Sequence, residues 1–145
     1  IIIGLLLAFA IWYINCLPSQ LFNDPVSLVV LDEHGEILGA HVAKDEQWRF
    51  PKSEKLNDKF VSALLIYEDK RFWKHPGVDP LAILRAIRLN IGQQKVVSGA
   101  STISMQVIRL SRKNPNRTFF EKITELFRAT RLEIKYSKNE ILKQY

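Results

Sequence analysis

The feature that most constrains this chain is the run His75-Pro76-Gly77-Val78-Asp79-Pro80, which admits few local structures. The two prolines fix φ and remove two backbone donors, and Gly77 opens the left-handed region to the backbone. Asp79 followed by Pro80 reads as a helix N-cap followed by the first helical residue. A tight turn must therefore separate a helix that ends before it from one that starts at Pro80. Upstream, Phe60, Ala63, Leu64 and Tyr67 recur at i, i+3, i+4 and i+7, the period of an amphipathic helix. Glu68 falls at the edge of that apolar stripe, where partial desolvation suits a carboxylate to general acid/base work near neutral pH. Taken alone, a Glu at a helix end is most often solvated and paired, here with Lys70 or Arg71. The rigid turn shifts that balance, because it holds Glu68, Asp69, the aromatic pair Phe72-Trp73 and His75 close together.

A chain of 145 residues accommodates an apolar segment and one modest domain, and its single cysteine excludes an internal disulfide framework. The net charge of +6 is unevenly spread. Residues 1–43 hold four acids (Asp24, Asp32, Glu33, Glu36) and no Lys or Arg, so the remaining 102 residues carry 21 basic against 11 acidic side chains, a net of +10. A basic domain behind an apolar leader points to an anionic partner, either nucleic acid or phosphorylated lipid and membrane headgroups.

Residues 1–17 are uncharged and apolar apart from Gly4, Asn15 and the polar edges of Trp12 and Tyr13, and are expected to form a transmembrane anchor. The first residue is neither Met nor preceded by a basic stretch, which reads as a piece of a longer protein. A cleaved signal peptide is disfavoured by the lack of a small-x-small site and by Trp12 and Tyr13, which fit an interfacial belt. Cys16 reads as an inert apolar filler. With no Lys or Arg between Pro18 and Ala43, that flank is expected outside the cytoplasm, which disfavours nucleic acid as a partner.

Residues 18–52 are expected to be a linker carrying a β-hairpin, with strands over residues 26–32 and 37–43 and Gly35 in the turn. His34 and His41 read as loop and strand-face residues, because no Cys or acid pair stands at metal-ligand spacing around them. Residues 53–145 form the main domain. Its second helix should run from Pro80 to about residue 91, with Leu84, Ile87 and Ile91 on one face and Gly92 at its end. Residues 92–99 read as a flexible polar connection. In the next helix Ile103, Val107 and Leu110 should face the core, while Thr102, Gln106 and Arg109 share another face. A hydroxyl, an amide and a guanidinium in one row behind Gly99 and Ser101 suit a diphosphate, although such a row alone is more often a solvated face. Residues 114–117 read as a turn, and Thr118 with Glu121 as a capping box. A long helix should bury Phe120, Ile123, Phe127, Thr130 and Ile134 and leave Glu125 outside, beside Lys122 and Arg128. Ser137 with Glu140 is a further capping box that opens a last helix.

Four segments, in order, resemble the motifs of the peptidoglycan glycosyltransferase domain of class A penicillin-binding proteins. Glu68, Asp69, Phe72, His75 and Gly77 match E-D-x-x-F-x-x-H-x-G. Residues 99–106, G-A-S-T-I-S-M-Q, resemble G-G-S-T-I-T-Q-Q; Lys122 and Glu125 match part of R-K-x-x-E; and residues 140–145 resemble the start of a fourth motif. The match runs from about Leu56 to Tyr145, and Trp48-Arg49-Phe50-Pro51 together with the S-T-x-S-M-Q form is most similar to the 1C type. The departures are Ala100 for a glycine, Met105 for a glutamine, Arg109 for a lysine and Glu121 for an arginine.

The resemblance implies a mainly α, lysozyme-like domain, truncated here before its fifth motif and any transpeptidase domain, and set behind a transmembrane helix and a short β-hairpin. It implies polymerisation of lipid II into β-1,4-linked glycan strands with release of undecaprenyl diphosphate. Glu68 and Glu125 are the implied catalytic residues, with Asp69, Phe72, His75, Ser101, Thr102, Gln106, Arg109 and Lys122 binding substrate. Glu125 would manage the diphosphate directly or through a divalent cation, magnesium or manganese, with no organic cofactor. The implied partners are lipid II, the growing glycan strand, membrane lipid and other cell-wall synthesis proteins. The implied location is the outer side of a bacterial inner membrane, held by a single span. Two rivals stand beside this reading: a lytic transglycosylase or hydrolase with Glu68 as acid, and a non-catalytic scaffold at the membrane.

Overall fold

A computed structural model describes residues 1–50, 56–113 and 118–145. The expected turn over 114–117 and the boundary placed at residue 52 lie outside the described residues. The chain divides into two units, Phe22–Leu56 and a larger one made of Ile1–Leu21 with Asn57–Tyr145.

The small unit is built on the expected hairpin, β1 (Leu28–Leu31) antiparallel to β2 (Ile37–His41). Asp32 organises its turn: Oδ1 accepts from the backbone N–H groups of His34 and Glu36, and Gly35 takes φ 82°. The register slips between Val30 and Leu31. Beyond the strands, Ser27 is buried, with its backbone N–H donating to Arg49 O and its hydroxyl accepting from Arg49 N.

The larger unit is helical throughout: α1 (Ile2–Asn15), α2 (Asp58–Glu68), a 3₁₀ turn (Phe72–Lys74), α3 (Pro80–Gln93), α4 (Ile103–Arg112), α5 (Phe119–Lys135) and α6 (Lys138–Gln144). Its core forms around α4, where Ile103, Met105, Val107 and Ile108 are buried with Ala129 and Leu132 of α5, Ile141 and Leu142 of α6, and Phe72. The helices begin where side chains can take up their free N–H groups. Asn57 caps α2, Asp79 caps α3 with Pro80 behind it, Thr102 caps α4, Thr118 caps α5, and Ser137 with Glu140 completes a capping box on α6.

Several expectations are corrected. The helix from Pro80 passes through Gly92 and ends at Gln94, which adopts the left-handed conformation at φ 50° and donates its N–H to Ile91 O. Leu84, Ile87 and Ile91 are exposed, as are Phe60 and Tyr67 of α2, so these two apolar stripes do not build the core. In α4, Ile103 and Val107 are buried as expected but Leu110 is exposed.

The stripe of α5 is offset from the one the hydrophobic residues predict. Glu125, Ala129 and Leu132 are buried, whereas Phe120, Ile123 and Ile134 are exposed. The reason is that α5 serves two neighbours. Its small and aliphatic side meets α4 and α6, and Phe127 and Thr130 turn toward α1. There Phe9 and Trp12 stand edge-on to Phe127 at 5.3 and 6.3 Å, and the Tyr13 and Thr130 hydroxyls share a 3.0 Å hydrogen bond.

Among the described residues no helix is long and apolar enough to cross a membrane. With 14 residues, α1 spans about 21 Å, against roughly 30 Å of hydrocarbon in a bilayer. It ends at Asn15, whose side-chain amide donates to Ile11 O.

Candidate active site

The turn after α2 brings the first motif against the start of α4. His75 Nε2 lies 3.0 Å from both carboxylate oxygens of Asp69, and both residues are buried. Asp69 Oδ2 also accepts from the backbone N–H of Ile103 at 3.1 Å, so one carboxylate ties the turn to the first turn of α4. From the other direction, the Thr102 hydroxyl donates to Gly77 O at 2.5 Å and accepts from Met105 N at 3.2 Å. Gly77 has φ 94°, and a Cβ there would fall 2.5 Å from the backbone oxygen of Ala129. Only glycine lets the turn lie on the backbone of α5.

A second set of contacts seals this junction from below. Lys138 Nζ donates to His75 O at 2.7 Å and to Glu133 Oε1 at 2.8 Å, and stands 4.2 Å over the Phe72 ring. Ser104 donates to the same Glu133 oxygen. Phe72 is fully buried in this packing, and Asp69, His75 and Thr102 are spent on the scaffold. Four of the residues named as substrate-binding from sequence thus sit inside, where they hold the site's walls in register.

Glu68, half-buried at the C-terminal end of α2, stays outside this knot. Gln106 Nε2 donates to its Oε2 at 2.8 Å, across 38 residues of chain. On one side of Glu68 is a cleft of about 440 Å³ whose lining includes Lys70, Arg71, Arg85, Ser98 and Ser101. Arg71 Nε lies 3.3 Å from Asp79 Oδ2, so the carboxylate that caps α3 also steadies a cation at the cleft's edge. A second cleft of about 340 Å³ is lined by Ser101, Arg109, Thr118, Phe119, Glu121, Lys122 and Glu125. Ser101 belongs to both and accepts a hydrogen bond from Lys122 Nζ. Glu125 is buried at this cleft's wall, 3.9 Å from Lys122 Nζ, and so belongs to the buried stripe it was expected to lie outside.

The structure therefore gathers Ser101, Arg109, Lys122 and Glu125 around one cleft and Glu68 with Gln106 beside the other. Met105 is 2% exposed and belongs to the core, so a methionine at this position takes no donor away from either cleft.

Proteins of similar sequence point to one family. The family model described as Transglycosylase matches residues 34–145. The chain belongs to the transglycosylase family. It is 40% identical over 142 residues to penicillin-binding protein 1C of Escherichia coli (strain K12), an alignment that covers 97% of this chain and 18% of that protein. It is 34% identical to penicillin-binding protein 4 of Bacillus subtilis (strain 168) over 79% of this chain and 18% of that protein. Penicillin-binding protein 1A of Escherichia coli (strain K12) is 34% identical over 83% of this chain and 14% of its own length. The chain thus spans less than a fifth of the length of these transglycosylase relatives.

Some residues of the junction escaped the sequence reading. Gly77 was legible as a turn former and as a match to the first motif, but its close approach to α5 depends on a helix 52 residues away. Glu133 and Lys138 carry no signal, since both read as charged residues near a helix boundary. Arg71 was legible only as a pairing partner for Glu68, and Arg85 lay off the apolar face of its helix.

Proposed function

We propose that this domain is a peptidoglycan glycosyltransferase that extends glycan strands from lipid II. The observation that carries the reading is the placement of Glu68, half-buried at the wall of a cleft that also presents Lys70, Arg71 and Arg85, with an amide donor from Gln106 on its carboxylate. In the proposed reaction the 4-hydroxyl of the acceptor sugar attacks the anomeric carbon of the strand. Its proton passes to Glu68, the bond from that carbon to the diphosphate oxygen breaks, and undecaprenyl diphosphate departs with inversion. The hydrogen bond from Gln106 Nε2 orients the Glu68 carboxylate to receive the proton.

Charge developing on the leaving diphosphate needs cations, and the second cleft offers Arg109 and Lys122. Arg109 supplies a planar fork of donors where the family motif has lysine, and Lys122 is steadied by Ser101. Among the described residues no three His, Cys, Asp or Glu side chains gather to hold a metal ion. If a magnesium or manganese ion takes part, Glu125 is the residue that would hold it. Bound there, it would offset charge on the leaving group.

The uncharged α1 would seat the domain at the outer face of a bacterial inner membrane, where lipid II lies. Exposed apolar side chains on α2 and α3, with the basic surface beside them, fit the same placement. A hydrolase on a similar fold has no use for cations facing a lipid diphosphate. The deciding experiment incubates lipid II with the full-length protein and its Glu68→Gln variant. Polymer from the parent and none from the variant supports the reading; no polymer from a folded parent overturns it.

A further inference from the structure

We propose that Tyr145 is a positioning residue for Glu68, acting through the side-chain amide of Gln106. The proposal rests on the reading of Glu68 as the base. Tyr145 follows the last helix, with its backbone N–H bonded to Ile141 O and its hydroxyl donating to Gln106 Oε1 at 3.3 Å. Gln106 in turn donates from Nε2 to Glu68 at 2.8 Å. Three residues from α2, α4 and the end of α6 thus form one chain of hydrogen bonds.

The physical point is the near symmetry of an amide. Its oxygen and nitrogen ends have almost the same shape, so packing alone cannot decide which end faces Glu68. An ionised carboxylate can only accept, and it demands the nitrogen. A phenol donating to the opposite end enforces the same choice from the other side and polarises the amide toward Glu68. The ring is placed for this by α6, whose Ile141 and Leu142 are buried in the core. Without the phenol the amide can rotate toward solvent, and the donor on the base is then present only part of the time.

The charged and titratable groups that face this chain are few. Glu68 shares its cleft with Asp69, Lys70, Arg71 and Asp79 of the turn and with Arg85 of α3. Tyr145 faces Glu68 and Arg109. Burial, and then the Glu68 charge, hold the phenol above its ordinary range, partly offset by Arg109, so it stays protonated wherever Glu68 works as a base. Replacing Tyr145 by Phe therefore changes no charge there, and a change in turnover reports the hydrogen-bond chain.

The test uses Tyr145→Phe, Gln106→Ala and the double variant in the full-length protein, with unfolding midpoints checked against the parent. Tyr145→Phe should lower kcat about tenfold with KM for lipid II unchanged. On a Gln106→Ala background the same substitution should have no further effect. A second readout needs no turnover: the side-chain amide signals of Gln106, followed by nitrogen-15 NMR, should move and broaden in Tyr145→Phe as the amide loses its fixed orientation. Unmoved amide signals, or a loss fully additive to that of Gln106→Ala, overturn the proposal. Moved amide signals in a protein that makes no glycan would uphold the positioning and overturn the glycosyltransferase reading.

Discussion

Asp69 grips His75 with both carboxylate oxygens, each 3.0 Å from Nε2, in the buried floor of the site. Because the same carboxylate also accepts from Ile103 N, it joins the turn that carries the first motif to the helix that carries the second. Removing it leaves an imidazole and a backbone N–H buried without partners. Asp69→Ala should therefore cost about 2 to 4 kcal/mol of stability, measured by denaturant unfolding. Asp69→Asn, which can still accept from Ile103, should cost less. A parental midpoint for Asp69→Ala would mean the junction is held by packing alone.

Two glycines with similar backbone angles should respond very differently to alanine. Gly77 and Gly35 have φ 94° and 82°, so each substitution carries the strain of a left-handed residue, about 1 kcal/mol. At Gly35 a Cβ would meet nothing within 4 Å. At Gly77 it would meet Ala129 O at 2.5 Å and Thr130 N at 2.9 Å, both backbone atoms that cannot move without displacing α5. Gly35→Ala should leave a folded protein with a modest loss in melting temperature. Gly77→Ala should abolish cooperative folding or lower the midpoint several times as far.

These two cases mark how far the sequence could be read. Helix starts were legible because capping is local: Asp79, Thr118 and Ser137 each act on residues within three positions. The hairpin around Gly35 was legible for the same reason. Burial was not, since it depends on which neighbour a helix meets. Phe120 and Ile134 look like core residues in α5, yet Glu125, Ala129 and Leu132 face α4 and α6. The site residues were recognisable as a set from their motif spacing, but not their division of labour. Thr102 and Gln106 share a helix face, and the structure gives one to a buried cap and the other to Glu68.

The capping box of α6 makes a prediction about pH. Hydrogen bonds from the Ser137 hydroxyl and then the Ser137 backbone N–H hold the Glu140 carboxyl below its ordinary range. A depressed carboxylate contributes stability that is present above the unfolded-state value and lost as pH falls through the folded one. Ser137→Ala should thus destabilise the protein more at pH 7 than at pH 3. Equal losses at the two pH values, followed by thermal melts, would show that the ionised form of Glu140 has no special place in the cap.

The exposed side of α1 should govern attachment to lipid. Ile3 and Leu7 are exposed, whereas Phe9 and Tyr13 contact α5. Ile3→Lys and Leu7→Lys should each reduce partitioning onto lipid vesicles about tenfold or more while leaving the melting temperature unchanged. Phe9→Ala should do the reverse, loosening the contact with Phe127 and lowering stability. Vesicle sedimentation beside thermal melts separates the two effects, and undiminished partitioning of both lysine variants would assign attachment to another surface.

The two candidate catalytic glutamates should fail in different ways. Glu68 stands beside one cleft with an amide donor from Gln106, and its proposed work is to accept a proton. Glu125 is buried at the wall of the other cleft, with Lys122 Nζ at 3.9 Å, and its proposed work is the management of charge around the diphosphate. Glu68→Gln keeps the shape, removes the base and should lower turnover by about 10² to 10⁴-fold without weakening lipid II binding. Glu125→Gln leaves the base in place but alters the electrostatics of the leaving group. Its loss should be smaller, should vary with magnesium concentration, and should be accompanied by changed diphosphate affinity. Glycan formation and lipid II binding, measured for both variants across a magnesium series, decide between these assignments. Near-parental turnover by Glu68→Gln would remove it as the base, whereas equal, metal-independent losses in both variants would mean that the two carboxylates act as one unit.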